Sequence, residues 1–175
     1  MAVFEERFGG NGDIWVADGY GQNFVYRYSR FARNGEYLGS INGSEGSAGP
    51  FQCPHSIWID YRKADPELYV ADRTNGRIQV YDLEGKFKRA FGKDFLVSPS
   101  AFARQADCLV VAELHARLAI LDPEDRLVCL LGRNEEVSRM DDWPNMKGPD
   151  GVPVRTTRLE PGKFNSPHGV ATDSA

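Results

Sequence analysis

Short apolar runs recur along this chain, separated by turn signals and too short for helices. Ile14-Trp-Val-Ala-Asp18, Leu68-Tyr-Val-Ala-Asp72 and Leu109-Val-Val-Ala-Glu113 are three versions of one strand that ends in an acid. Val16 and Val70 lie 54 residues apart, and Val70 and Val111 lie 41 apart. A second strand follows each of them: Phe24-Val-Tyr-Arg-Tyr28, Arg77-Ile-Gln-Val-Tyr81 and Arg117-Leu-Ala-Ile-Leu121. Next comes a hairpin signal, Asn34-Gly35, Glu84-Gly85 or Asp122-Pro-Glu-Asp125. A third strand then closes each unit: Glu36-Tyr-Leu-Gly-Ser-Ile41, Lys86-Phe-Lys-Arg-Ala-Phe91 and Arg126-Leu-Val-Cys-Leu-Leu131.

A fourth element opens the unit. Phe51-Gln-Cys-Pro-His-Ser-Ile-Trp-Ile-Asp60 and Phe164-Asn-Ser-Pro-His-Gly-Val-Ala-Thr-Asp173 share the pattern F-x-x-P-H, then an apolar residue and an acid. Phe95-Leu-Val-Ser-Pro-Ser-Ala-Phe-Ala is a degenerate copy with Ser100 in the histidine's place. Four short strands at a period near 40 predict an all-β chain made of β-propeller blades. The expected organisation is an incomplete blade over 1–43, blades over 51–92 and 95–132, an inserted loop over 133–163, and the first strand of a further blade over 164–175. Pro144, Pro149, Pro153 and Pro161 mark the insertion as a loop.

These units resemble NHL repeats, a six-bladed propeller family with the consensus F-x-x-P-x-G-ϕ-A-ϕ-D, ϕ-Y-V-A-D and N-x-R-I-Q-V-F, where ϕ is apolar. The stretches 164–173 and 68–81 carry that consensus nearly residue for residue. A six-bladed ring needs about 240 residues at this period. The chain therefore reads as a fragment of a longer product. The other readings are a homodimer that closes a 3+3 ring, and an open arc of blades with exposed edges.

Composition narrows the partners. The 175 residues contain 21 Lys+Arg against 25 Asp+Glu, a formal net charge of -4, with the cations scattered. A phosphate backbone needs a basic face, so nucleic acid is excluded as a partner. No apolar run approaches the roughly 18 residues of a membrane span, and no membrane partner is expected. The N-terminus lacks the basic-then-apolar order of a signal peptide, which implies the cytoplasm for a complete chain and an extracytoplasmic site for a fragment. Cys53, Cys108 and Cys129 have no metal or redox spacing, and Cys108 and Cys129 sit in apolar runs that predict small buried side chains.

The candidate chemistry lies at equivalent repeat positions. His55 and His168 occupy the same place in two units, so in a propeller both imidazoles point toward one axis. They could hold a metal, most naturally zinc, or hydrogen-bond between blades. A third ligand is required for the first reading. The loops after the V-A-D strands carry Tyr20, Arg73 and His115. Tyrosine near a metal can act as a general base, and arginine can clamp a carboxylate. The alternatives are rim packing for Tyr20, an inter-blade salt bridge for Arg73 and a solvent-facing loop histidine for His115. Asp18, Asp72 and Glu113 recur in every unit, which favours a structural role in strand-end turns.

Val-Ala-Asp-Gly-Tyr-Gly, Pro-His-Ser-Ile and Val-Ala-Asp-Arg-Thr-Asn-Gly-Arg-Ile-Gln-Val look like the peptidyl-α-hydroxyglycine α-amidating lyase branch of the NHL family. That resemblance implies a zinc-dependent lyase splitting a C-terminal α-hydroxyglycine into a peptide amide and glyoxylate. By motif match His55 and His168 resemble two of three zinc ligands, Tyr20 the catalytic tyrosine and Arg73 an active-site arginine. The expected cofactors are zinc and a structural calcium, and the expected partner is a small-molecule or peptide ligand. Two departures stand out: Gly21 replaces a disulfide cysteine of the animal enzymes, and the chain has no strand for a third P-H histidine. The alternative from another class is a non-catalytic NHL scaffold that binds a protein or small ligand on a propeller face. RNA binding, as in some animal NHL domains, is disfavoured by the charge. A sugar-lactonase site would need a carboxylate and asparagine cage that the sequence does not place.

Overall fold

A computed structural model describes residues 1–30 and 35–173. The chain is a partial β-propeller. Among the described residues three antiparallel four-stranded sheets follow one another in chain order as blades. The first is β1 (Ala2–Val3), β2 (Ile14–Asp18), β3 (Phe24–Tyr28) and β4 (Tyr37–Ile41). The second is β5 (Pro54–Asp60), β6 (Glu67–Asp72), β7 (Arg77–Tyr81) and β8 (Phe87–Phe91). The third is β9 (Pro99–Gln105), β10 (Cys108–Glu113), β11 (Arg117–Leu121) and β12 (Leu127–Leu131). No helix among the described residues is long and apolar enough to cross a membrane.

The blades stack because their middle strands are apolar on both faces. Every residue of β6 is buried. Leu68 and Val70 join Trp15, Val25 and Ile41 in the core between the first and second blades. Tyr69 and Ala71, pointing the other way, join Phe102, Leu109, Val111 and Leu121 in the core between the second and third. That two-sided burial is why the V-A-D strands read as unbroken apolar runs. The last strand of each blade forms the rim: of β12 only Leu130 is half-buried. Cys129 on that strand is exposed and Cys108 is only half-buried, so neither is the core thiol the sequence predicts.

Three places differ from the sequence expectation. The first unit, expected as an incomplete blade without its P-H strand, has a two-residue strand in the opening place: β1 pairs along β2, with Ala2 opposite Trp15 and Val3 opposite Ile14. By register these two residues stand where Trp58 and Ile59 stand in the second blade. Among the described residues, no part of the first blade pairs where Pro54 and His55 stand in the second. The stretch 164–173 was expected as a strand but has no ladder partner, and Ser174 and Ala175 lie outside the described residues. Phe164 N–H donates to Gly132 O (2.9 Å), and the Thr172 hydroxyl donates to Arg104 O, so the stretch runs beside β9. The 133–163 loop carries a short hairpin, β13 (Met146–Lys147) with β14 (Pro153–Val154). Of the expected hairpin pair Asn34-Gly35, Asn34 lies outside the described residues.

A buried charge cluster fastens the second blade to the third. Gly85 and Asp125 occupy the same position in their hairpins, and both have left-handed backbone, with φ of 86° and 65°. Glycine adopts this freely, whereas aspartate gives up about 1–2 kcal/mol there. The Asp125 carboxylate nevertheless accepts from Arg62 (3.0 Å), Lys63 (3.1 Å), the Tyr69 hydroxyl (2.9 Å) and Arg89 (2.7 Å), all from the second blade. Arg62 is also paired with Asp60 through two bonds of 2.8 and 3.0 Å. Arg89 grips Glu67 by both carboxylate oxygens (2.9 and 2.7 Å). Burial alone would raise the Glu67 carboxyl, but Arg89 and Lys88 outweigh it and hold its pKa at about 2.

Candidate functional site

The acids at the ends of the V-A-D strands set the local frame. The Asp72 carboxylate accepts from Gln52 N–H (2.7 Å), Asn75, and Arg77 Nε (2.7 Å). Glu113, one methylene longer, accepts from Ser98 N–H (3.0 Å), Val97 N–H and Arg117 Nε. Each acid thus ties the loop before a P-H or P-S strand to the strand beside it. That is the structural role their recurrence implies.

This frame produces a β-bulge at the same point of two blades. Pro54 pairs with Asp72 and Ser56 with Ala71, which leaves His55 as the extra residue. Pro99 pairs with Glu113 and Ala101 with Ala112, which leaves Ser100 as the extra residue. A bulge re-aims the side chain it carries. Here it turns His55 toward the neighbouring blade, where Nδ1 lies 2.8 Å from Ser100 O. A carbonyl oxygen only accepts, so Nδ1 carries the hydrogen, and in the neutral ring Nε2 keeps its lone pair. Burial holds the His55 pKa below its ordinary value, and the charges of Arg73 and His168 act the same way against the Ser100 bond.

The other three candidates gather around His55. The His168 ring centroid lies 5.8 Å from that of His55, and the Tyr20 ring centroid lies 6.3 Å from it. Arg73 Nη1 donates to the Tyr20 hydroxyl at 2.8 Å. Its guanidinium carbon sits 5.2 Å from the centre of the Tyr20 ring. Tyr20 comes from the first blade, His55 and Arg73 from the second, and His168 from the stretch after the third.

Glycine allows the close approach. A Cβ at Gly19 would lie 2.5 Å from Pro54 O, so only glycine lets the 18–21 loop sit against the P-H strand. At Gly21, whose N–H donates to Asp18 (3.0 Å), a Cβ would fall 2.2 Å from that carboxylate.

Not every sequence candidate joins the cluster. His115 packs edge-on against Trp143 with centroids 5.2 Å apart, on the side of the 133–163 loop. Arg73 makes no ion pair among the described residues; its contact is with the Tyr20 hydroxyl and ring. Its remaining N–H groups are available to a carboxylate. Two contacts escape sequence reasoning altogether. Asn23, left-handed at φ 61°, accepts from Cys53 N–H at 2.9 Å and holds the first blade's loop to the second. Ser100, a departure from the repeat, has its carbonyl against His55 and its hydroxyl 3.0 Å from Pro167 O.

The donor chemistry suits zinc in part. His55 has one lone pair free and its other nitrogen fixed by a carbonyl, the usual setting of a zinc-bound imidazole. Among the described residues, however, no group of three or more His, Cys, Asp or Glu is placed to hold a metal ion.

No family model matches the sequence, and no curated protein matches it. Among solved structures the chain is similar to the crystal structure of BBS1N in complex with ARL6DN, soaked with mercury. The match has 12% identity and a TM-score of 0.36, and covers 67% of this chain and 48% of that one. The chain thus spans about half the length of that structure, and a likeness this low carries no functional argument.

Proposed function

We propose that the chain is part of an NHL-type propeller with a lyase site for a peptide ending in α-hydroxyglycine, built on Tyr20, Arg73, His55 and His168. One observation carries the reading. Four side chains that the motif match singles out, from three different units, meet within 5.8–6.3 Å ring spacings and one 2.8 Å hydrogen bond.

Each residue has a task its geometry supports. Arg73 holds the substrate carboxylate with the donors that Tyr20 does not use. Tyr20 Oη takes the proton of the carbinol hydroxyl as it gives up its own phenolic proton to the departing amide nitrogen. The electrons of that O–H bond form the aldehyde C=O, and the C–N bond breaks. Peptide amide and glyoxylate result, with all atoms accounted for. His55 and His168 would hold zinc together with a third ligand outside this set; when bound, zinc polarises the carbinol oxygen.

The test is glyoxylate release from a peptidyl-α-hydroxyglycine, measured with zinc content on wild type and on His55→Ala plus His168→Ala. Zinc-dependent release lost in the double variant is the expected result. A wild type that takes up no zinc and releases no glyoxylate overturns the proposal. That outcome favours a scaffold that binds a peptide or protein, for which Tyr20, 80% exposed beside Arg73, is suitable anchor chemistry.

A further inference from the structure

Ser100 stands where two other units carry histidine, and the loss of a possible ligand there needs a physical reason. The residue is 1% exposed, in the bulge of β9, between the strand that bears His55 and the stretch that bears His168. Its carbonyl accepts from His55 Nδ1 at 2.8 Å. Its hydroxyl lies 3.0 Å from Pro167 O and 3.0 Å from Ala112 O. A hydroxyl has one hydrogen, so it serves one of these carbonyls at a time. Pro167 is the residue immediately before His168.

We propose that Ser100 is the positioning residue of the histidine pair: its carbonyl fixes the His55 ring and its hydroxyl fixes the backbone that carries His168. This deepens the zinc-site reading above and rests on it for the identity of the ligand. The stretch 164–173 has no strand ladder to hold it, so each anchoring bond counts. Phe164 is held by Gly132, the Asn165 carbonyl by Trp143 Nε1 (2.9 Å), and Thr172 by Arg104. Asn134 Nδ2 donates to Phe164 O and Asn165 Nδ2 to Pro144 O as well, and among the described residues the Ser100 bond is the one that falls at the residue adjoining His168. Histidine at position 100 would place a larger ring in a fully buried site, where the side chain lies against the Ala112 and Pro167 carbonyls. Serine is small enough for the blades to close and polar enough to satisfy the carbonyl across the gap.

The variants are Ser100→Ala, which keeps the carbonyl and removes the hydroxyl, and Ser100→Thr, which keeps both. The metal-free readout is the imidazole nitrogen and proton spectrum of the whole chain. In Ser100→Ala the His55 Nδ1–H signal should persist while the His168 ring signals broaden or shift; Ser100→Thr should restore them. The metal readout is a cobalt(II) titration, with a loss of about 10-fold in affinity for alanine, typical of a group that orients a ligand, and recovery for threonine. A folded Ser100→Ala whose His168 signals match wild type overturns the positioning role, whatever the metal does. Normal positioning effects in a chain that binds no cobalt would overturn the zinc reading instead and leave the role of Ser100 standing.

Discussion

Asp125 stands where the equivalent hairpin of the second blade has glycine, and that exchange separates two forces of opposite sign. Replacing Asp125 with glycine relieves left-handed strain of about 1–2 kcal/mol. It also removes the acceptor shared by Arg62, Lys63, Arg89 and the Tyr69 hydroxyl. Lys63 and Arg89 are partly exposed and can turn to water, but the Arg62 side chain is 1% exposed and cannot. Breaking a buried pair by deleting one partner costs about 3–5 kcal/mol, and Arg62 keeps Asp60, so about 3 kcal/mol is expected for Asp125→Asn. Asparagine tolerates the same backbone, which makes it the charge-only variant. For Asp125→Gly the strain relief offsets part of the loss and leaves about 1–2 kcal/mol of destabilisation. Urea denaturation of the whole chain measures both. Thermal midpoints should fall by about 2–4 °C for each kcal/mol in a chain of this size. A cycle with Arg62→Met should give a coupling above about 1 kcal/mol. A glycine variant more stable than wild type would refute the reasoning, since strain rather than the charge cluster would then decide the position.

Three further outcomes follow from the same structure. Glu67, held at about 2 against an ordinary 4.5, lends stability that is fully present above pH 4.5 and is lost as pH falls toward 2. The full shift corresponds to at most about 3 kcal/mol, and denaturation midpoints should show a flatter acid slope for Glu67→Gln than for wild type. Gly19→Ala puts a Cβ 2.5 Å from Pro54 O, so the 18–21 loop must lift, with a stability loss of about 1–3 kcal/mol and a broken Tyr20–Arg73 bond visible in a structure of the variant. Tyr20→Phe should leave stability within about 0.5 kcal/mol, since the ring is exposed, while glyoxylate release falls by about 100-fold or more.

The blades were legible because β6 and β10 are buried on both faces, which writes continuous apolar runs, and because the same runs recur in each unit. The gathering of His55, His168, Tyr20 and Arg73 follows from repeat position alone, since equivalent residues of successive blades share one end of the ring. What escaped notice leaves no mark on side-chain pattern. The His55–Ser100 bond goes to a backbone carbonyl, which any residue supplies. The two-residue strand Ala2–Val3 is too short to show an alternation. The Asp125 cluster joins residues up to 63 positions apart, and its only trace was an aspartate in a place where glycine is at ease. Cys129 misled because an apolar run on a rim strand looks like one in the core.

The central claim is that His55 and His168 form one ligand pair. Zinc content after reconstitution and dialysis tests it most directly, on wild type and on His55→Ala plus His168→Ala at matched folding. The expected result is bound zinc in wild type and none in the double variant. Wild type without zinc, or a double variant that holds as much as wild type, would contradict it.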